Sequence, residues 1–77
     1  MAFRTNLLRI RIEKSITQKQ MAESIGVRVQ AYQAYEHGRS YPSFKVLQRI
    51  FDIYQISDVY DFMFYEYNKD KFLNYTF

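Results

Sequence analysis

Apolar positions along this chain come in short bursts at helical spacing, separated by polar turns. In "NLLRIRIEK", Leu7, Leu8, Arg11 and Ile12 fall on one side of a helix, Ile10 broadens the stripe, and Thr5 stands where a cap would. "ITQKQM" holds a capping box, Thr17 with Gln20, and Ile16 and Met21 are placed for a hydrophobic staple. That second run continues through Ala22 and Ile25 and stops at Gly26, a residue that accepts the left-handed conformation that ends helices. A third run covers Val29 to about His37 and ends at Gly38: Ala31, Tyr32 and Tyr35 share one face, Gln30, Gln33 and His37 the other, with Val29 and Ala34 on the flanks. Pro42 halts the connection, Ser43 caps, and "FKVLQRIFDIY" predicts a fourth helix with Phe44, Val46, Leu47, Ile50, Phe51 and Ile53 inward. Ser57 caps a fifth, "DVYDFMF". The prediction is all-α: a compact bundle of five helices followed by an aromatic C-terminal extension.

Size and composition narrow this further. Seventy-seven residues suit one small domain, with no room for a second module that senses a ligand. A hydrophobic fraction of 48%, with eight Tyr and seven Phe, argues for a packed globule. The absence of cysteine excludes disulfides, thiolate metal sites and a cysteine nucleophile. With no apolar leader and no run of about 20 apolar residues, the expectation is a soluble, cytoplasmic protein that does not enter a membrane. Charge is unevenly placed: nine basic residues face three acidic ones through Phe51, whereas two basic face five acidic thereafter. That asymmetry suits a domain with one side turned to a polyanion.

One position breaks a local rule. If Gly26 is a turn and the next run a helix, Arg28 takes the capping position, where Ser, Thr, Asp or Asn would accept from a free backbone N–H. Giving up such a cap costs about 1 kcal/mol, and broken local rules tend to mark function.

Two helices joined through a short turn containing Gly, the second with a polar outer face, form the helix-turn-helix signature. The stretch "LRIRIEKSITQKQMAESIGVRVQAYQAYEHGRSYPSFKVLQRIFDIYQIS" resembles the Cro and phage-repressor (Xre) family. It shares Thr-Gln at the second helix, Ala four residues before Gly, aromatic-Glu-x-Gly, and Pro-Ser before the fourth helix. The resemblance implies a lambda-repressor-like domain that binds double-stranded DNA as a small transcriptional regulator, of repressor, Cro-like or controller type. It also implies a structural ion pair of Arg11 with Glu36.

In such a domain the third helix lies in the major groove, where Gln amides can match the acceptor and donor edge of adenine. Gln30 and Gln33 have that chemistry; Val29 suits a thymine methyl, Ala34 close approach, and Arg28 a guanine edge or a phosphate. Phosphate contacts are expected from Gln18, which opens the second helix, and from His37, Arg39, Ser40, Tyr41, Ser43 and Lys45. The departure from the family's small hydroxyl residue at position 28 makes Arg28 the least transferable of these.

Enzymatic function is not expected, because the lone His37 has no Ser or Cys partner pattern and no carboxylate pair stands at a recognisable spacing. No cofactor and no metal are implied. The competing function is an antitoxin or anti-repressor module, in which this fold chiefly holds another protein. Residues 1–64 are expected to form the DNA-binding domain and 65–77 an extension. Phe62, Phe64, Tyr65, Tyr67, Phe72, Tyr75 and Phe77 crowd seven aromatics near the C-terminus, more than one short helix can hide. They are expected to build a homodimer on a pseudopalindromic operator. The extension either prolongs the fifth helix to about Tyr67, or turns at 68–71 and lets Leu73, Tyr75 and Phe77 alternate as a strand.

Overall fold

The computed structural model describes residues 2–65, and the described residues form five helices and no strand. These are α1 (Phe3–Glu13), α2 (Gln18–Ile25), α3 (Val29–Glu36), α4 (Phe44–Ile53) and α5 (Val59–Phe64). Helix α5 ends at Phe64, and Tyr65 has extended backbone, φ −92° and ψ 123°, so the expected prolongation of the fifth helix is corrected: it stops before Tyr65. The strand form of the extension, and Tyr67, Phe72, Tyr75 and Phe77, lie outside the described residues.

The polar punctuation acts as expected in the middle of the chain. At α2 the Gln20 N–H donates to Thr17 Oγ1 at 3.0 Å while the Thr17 N–H donates to Gln20 Oε1 at 2.8 Å, so two otherwise orphaned donors are satisfied reciprocally. Ser43 caps α4 by accepting from the Val46 N–H at 3.3 Å. Gly26 takes φ 74° and ends α2 in the left-handed region. There it packs against the Arg49 guanidinium, whose Nη1 donates to the Ile25 carbonyl at 3.3 Å.

The ends of the bundle differ from the sequence reading. Helix α1 starts at Phe3, not after Thr5, because Phe3 is wholly buried and its packing draws the helix back by three residues; Ala2 at the N-cap supplies no side-chain cap. Asp58, not Ser57, caps α5, accepting from the Asp61 N–H at 2.8 Å. Phe44 and Ile53 do not point inward: they are 74% and 47% exposed. They occupy the first and last positions of α4, where the helix has already passed the edge of the core.

The core unites Phe3, Leu7 and Ile10 of α1 with Met21, Ala22 and Ile25 of α2, Tyr32 and Tyr35 of α3, Val46 and Ile50 of α4, and Phe62 of α5. Phe62 meets Phe3 and Phe51 edge-on, with ring centroids 5.7 and 6.0 Å apart. It is therefore an internal residue, and its placement among the dimerisation aromatics is corrected: a ring 3% exposed has no face to offer another subunit.

A buried polar side chain latches the first helix to the last. Asn6 is fully buried, and its Nδ2 donates to the carbonyls of Phe62 at 2.7 Å and Tyr65 at 2.8 Å. The Ala2 N–H donates to the Met63 carbonyl at 3.0 Å. Helix ends leave carbonyls without partners, and α1 thus closes the C-terminal end of α5. Asn6→Ala, which strands two carbonyls, is expected to cost about 1–3 kcal/mol and to lower the thermal midpoint by roughly 5–15 °C. Melting followed by circular dichroism checks this; an unchanged midpoint would mean that the latch carries no stability.

Candidate nucleic-acid interface

Glu36, at the last turn of α3, is the only carboxylate between Glu23 and Asp52, and it is buried. A buried charge is costly unless paired and hydrogen-bonded. Here Arg11 grips it with two nitrogens, Nε to Oε2 at 2.6 Å and Nη2 to Oε1 at 3.3 Å, while Arg11 Nη1 donates to the Ile16 carbonyl at 3.1 Å. The Tyr32 hydroxyl, one turn earlier on α3, donates to Oε2, and Gln18 Nε2, from the start of α2, donates to Oε1 at 3.0 Å. Burial alone would raise the Glu36 carboxyl, but the hydrogen bonds from Arg11, Tyr32 and Gln18 outweigh it and hold the group below its ordinary value. Burial, then the bond to Glu36, pushes the Tyr32 hydroxyl well above the usual tyrosine range. For Arg11 burial works the other way, yet the hydrogen bond and charge of Glu36 prevail and raise it.

This arrangement fixes the orientation of two further amides. An ionised carboxylate only accepts, so Gln18 must turn its NH₂ to Glu36 and its Oε1 away. That oxygen accepts from Gln33 Nε2 at 3.1 Å. Gln33, half-buried on α3, is thereby left with its Oε1 and one N–H for other partners. Gln30 on the same helix is exposed and makes no such contact.

Arg28 adopts the extended backbone of an N-cap, φ −70° and ψ 151°, with no side-chain cap bond. A guanidinium has no acceptor and cannot cap, so the first-turn N–H groups of α3 gain nothing from it. Val29, Gln33 and Ala34 are half-buried, and Val29 leans on the core. His37, Arg39, Ser40, Tyr41, Ser43 and Lys45 are all exposed, from the end of α3 through the loop to the first turn of α4. Since the one carboxylate in this region is buried, the surface of residues 24–51 presents Arg28, Arg39, Lys45 and Arg49 with no exposed carboxylate.

The model of the helix-turn-helix family matches residues 7–60, most of the chain. The chain belongs to the helix-turn-helix family. Its two-helix motif is α2 and α3, joined by Gly26, Val27 and Arg28. One curated protein, the uncharacterized HTH-type transcriptional regulator YqaE of Bacillus subtilis (strain 168), is 40% identical over 55 residues, which are 71% of this chain and 47% of that protein. The helix-turn-helix chain thus spans about half the length of that relative. No solved structure matches it significantly. No helix among the described residues is long and apolar enough to cross a membrane.

Three contributors to this motif escape a reading of the sequence. Tyr32 was legible only as core, although its spacing of four residues from Glu36 puts both on one helix face. Arg4, whose Nη1 donates to the Glu36 carbonyl at 3.2 Å, and Arg49 cap the ends of α3 and α2 from distant parts of the chain. No local signal marks either.

Glu36→Ala strands the Arg11 charge and is expected to cost about 3–5 kcal/mol. Because the folded-state value of Glu36 is depressed, its contribution is present above the ordinary 4.5 and is lost as pH falls below it. The raised Tyr32 acts oppositely: its contribution is present below the ordinary 10.0 and is lost as pH rises above it. Urea midpoints across pH test both. Glu36→Gln should flatten the acid limb and Tyr32→Phe the alkaline limb; limbs that match the parent's would show that these groups do not govern them.

Proposed function

We propose that this protein is a cytoplasmic transcriptional regulator that binds duplex DNA sequence-specifically, with α3 in the major groove. The observation that carries this reading is the surface of residues 24–51, basic and without an exposed carboxylate, centred on a helix that offers Gln30 freely and Gln33 in a fixed orientation. Gln30 and Gln33 pair with adenine edges, Val29 meets a thymine methyl, and Ala34 permits close approach. Arg28, freed from capping, reaches a guanine edge or a phosphate at the leading tip of α3. Gln18, His37, Arg39, Ser40, Tyr41, Ser43 and Lys45 hold phosphates on either side. Residues 1–64 serve as the DNA-binding domain and 65–77 as its extension. A single reading helix covers few base pairs, so two copies act together on a pseudopalindromic site. Exposed rings at Phe64 and Tyr65, with the Tyr60 ring tilted against Phe64 at a centroid distance of 4.8 Å, are the apolar surface that supports this pairing, and the same reading assigns Tyr67, Phe72, Tyr75 and Phe77, outside the described residues, to it.

Binding to an operator selected from random-sequence duplex is expected to weaken steeply with salt, because phosphate contacts release counterions. Gln30→Ala should cost about 1–3 kcal/mol and relax preference at one base pair, whereas Lys45→Ala should weaken all sequences alike and reduce the salt slope by about 1. Titrations over single-base operator variants decide it. Binding that ignores salt, or a random duplex competing equally well, would refute sequence-specific recognition. For the pairing, Tyr60→Ala/Phe64→Ala is expected to weaken self-association roughly tenfold or more in sedimentation equilibrium; an unchanged constant would move the interface elsewhere.

A further inference from the structure

Phe44 is 74% exposed, and Tyr41, three residues earlier, is 54% exposed. Leaving so large an apolar ring in water is unfavourable, and exposed apolar surface marks sites of interaction. The inward side of α4 is already taken by Val46 and Ile50, so the ring has no place in the core. Its surroundings are cationic: Lys45 follows it, Arg39 precedes it on the loop, both are exposed, and no carboxylate occurs from residue 37 to residue 51. A second copy of the same surface would set two cationic segments face to face, which like-charge repulsion opposes. A nucleic-acid strand has the complementary character, since its backbone alternates anionic phosphates with the apolar edges of sugars.

We propose that Phe44 packs against the deoxyribose edge of the DNA strand whose phosphates Lys45 and Arg39 engage, an apolar contact that reads no base. This rests on the DNA-binding reading above. Because the contact is to the backbone, it strengthens binding to any duplex equally. Because it is uncharged, it leaves the number of released counterions unchanged.

The test compares the parent with Phe44→Ala, Phe44→Leu and Lys45→Ala on the selected operator and on a mixed-sequence duplex two helical turns long, each over a salt series. Phe44→Ala is expected to weaken both duplexes by the same factor, about tenfold, with an unchanged salt slope, and Phe44→Leu to recover most of the loss. Lys45→Ala lowers the slope instead. The chain contains no tryptophan, so Phe44→Trp adds a single reporter whose emission should change on addition of either duplex. The exposed site leaves the melting temperature of each variant unaffected, which circular dichroism verifies. Parental affinity in Phe44→Ala, a loss confined to the operator, or weakened self-association in sedimentation with unchanged binding to a half-site duplex would each overturn the proposal. If the parent itself binds neither duplex, the DNA-binding reading fails first and takes this contact with it.

Discussion

The Arg11–Glu36 ion pair is the constraint around which the described bundle is arranged. It lies where α1, α2 and α3 meet, and each of these helices contributes a donor to one carboxylate: Arg11, Gln18 and Tyr32. Apolar packing tolerates small slides between helices, but hydrogen bonds to a buried charge do not, since a half-satisfied polar network is worse than an apolar core. The angle between α2 and α3 is thus set by polar geometry as well as by the fit of Met21, Ile25 and Tyr32. The arrangement also spends the one carboxylate that would otherwise oppose an anion beside α3.

Four arginines of the bundle divide into two kinds. Arg11 and Arg9 are paired with carboxylates, the latter with Glu13 at 2.8 Å. Arg4 and Arg49 instead donate to backbone carbonyls at the ends of α3 and α2. A carbonyl satisfies the geometry of a guanidinium without cancelling its charge, and the partial negative charge of a helix C-terminus welcomes it. These two arginines therefore hold the fold together while still contributing to a positive field.

Much of this was legible because helix signals are local. Thr17 with Gln20, Ser43, Gly26 and Gly38 each act through neighbours within a turn, and the sequence displays those neighbours directly. The errors sit where a helix leaves the core. Periodicity assigns Phe44 and Ile53 to the inward stripe at 100° per residue, but it does not register that the partners have run out. The start of α1 was misplaced, and Phe3 and Asn6 passed unread, for the opposite reason: tertiary contacts with α5 extend α1 backwards and turn a polar residue into a buried latch. At the candidate site, the pairing of Arg11 with Glu36 could be assigned through resemblance to a family, but the same resemblance gave Gln18 as a phosphate contact and not as a donor to Glu36. The tilt of Arg4 onto α3, and the split of the terminal aromatics into internal Phe62 and exposed Phe64 and Tyr65, depend on long-range packing that no short motif encodes.

The relay from Glu36 through Gln18 to Gln33 has a thermodynamic consequence. Immobilising a long, flexible side chain on binding costs about 0.5–1.5 kcal/mol. For Gln18 and Gln33 that ordering is already complete when the chain folds, whereas Gln30 and Arg28, free in the unbound protein, must still be ordered when they meet a partner. The outer side of α3 is therefore half rigid and half adaptable. Gln33 is tied through Gln18 to the Glu36 network, so under the proposed DNA-binding role a substitution there disturbs that network and recognition together. Arg28 and Gln30 carry no such tie, and under the proposed DNA-binding role they are where evolution, or an engineer, can alter what α3 recognises without unmaking the protein that carries it.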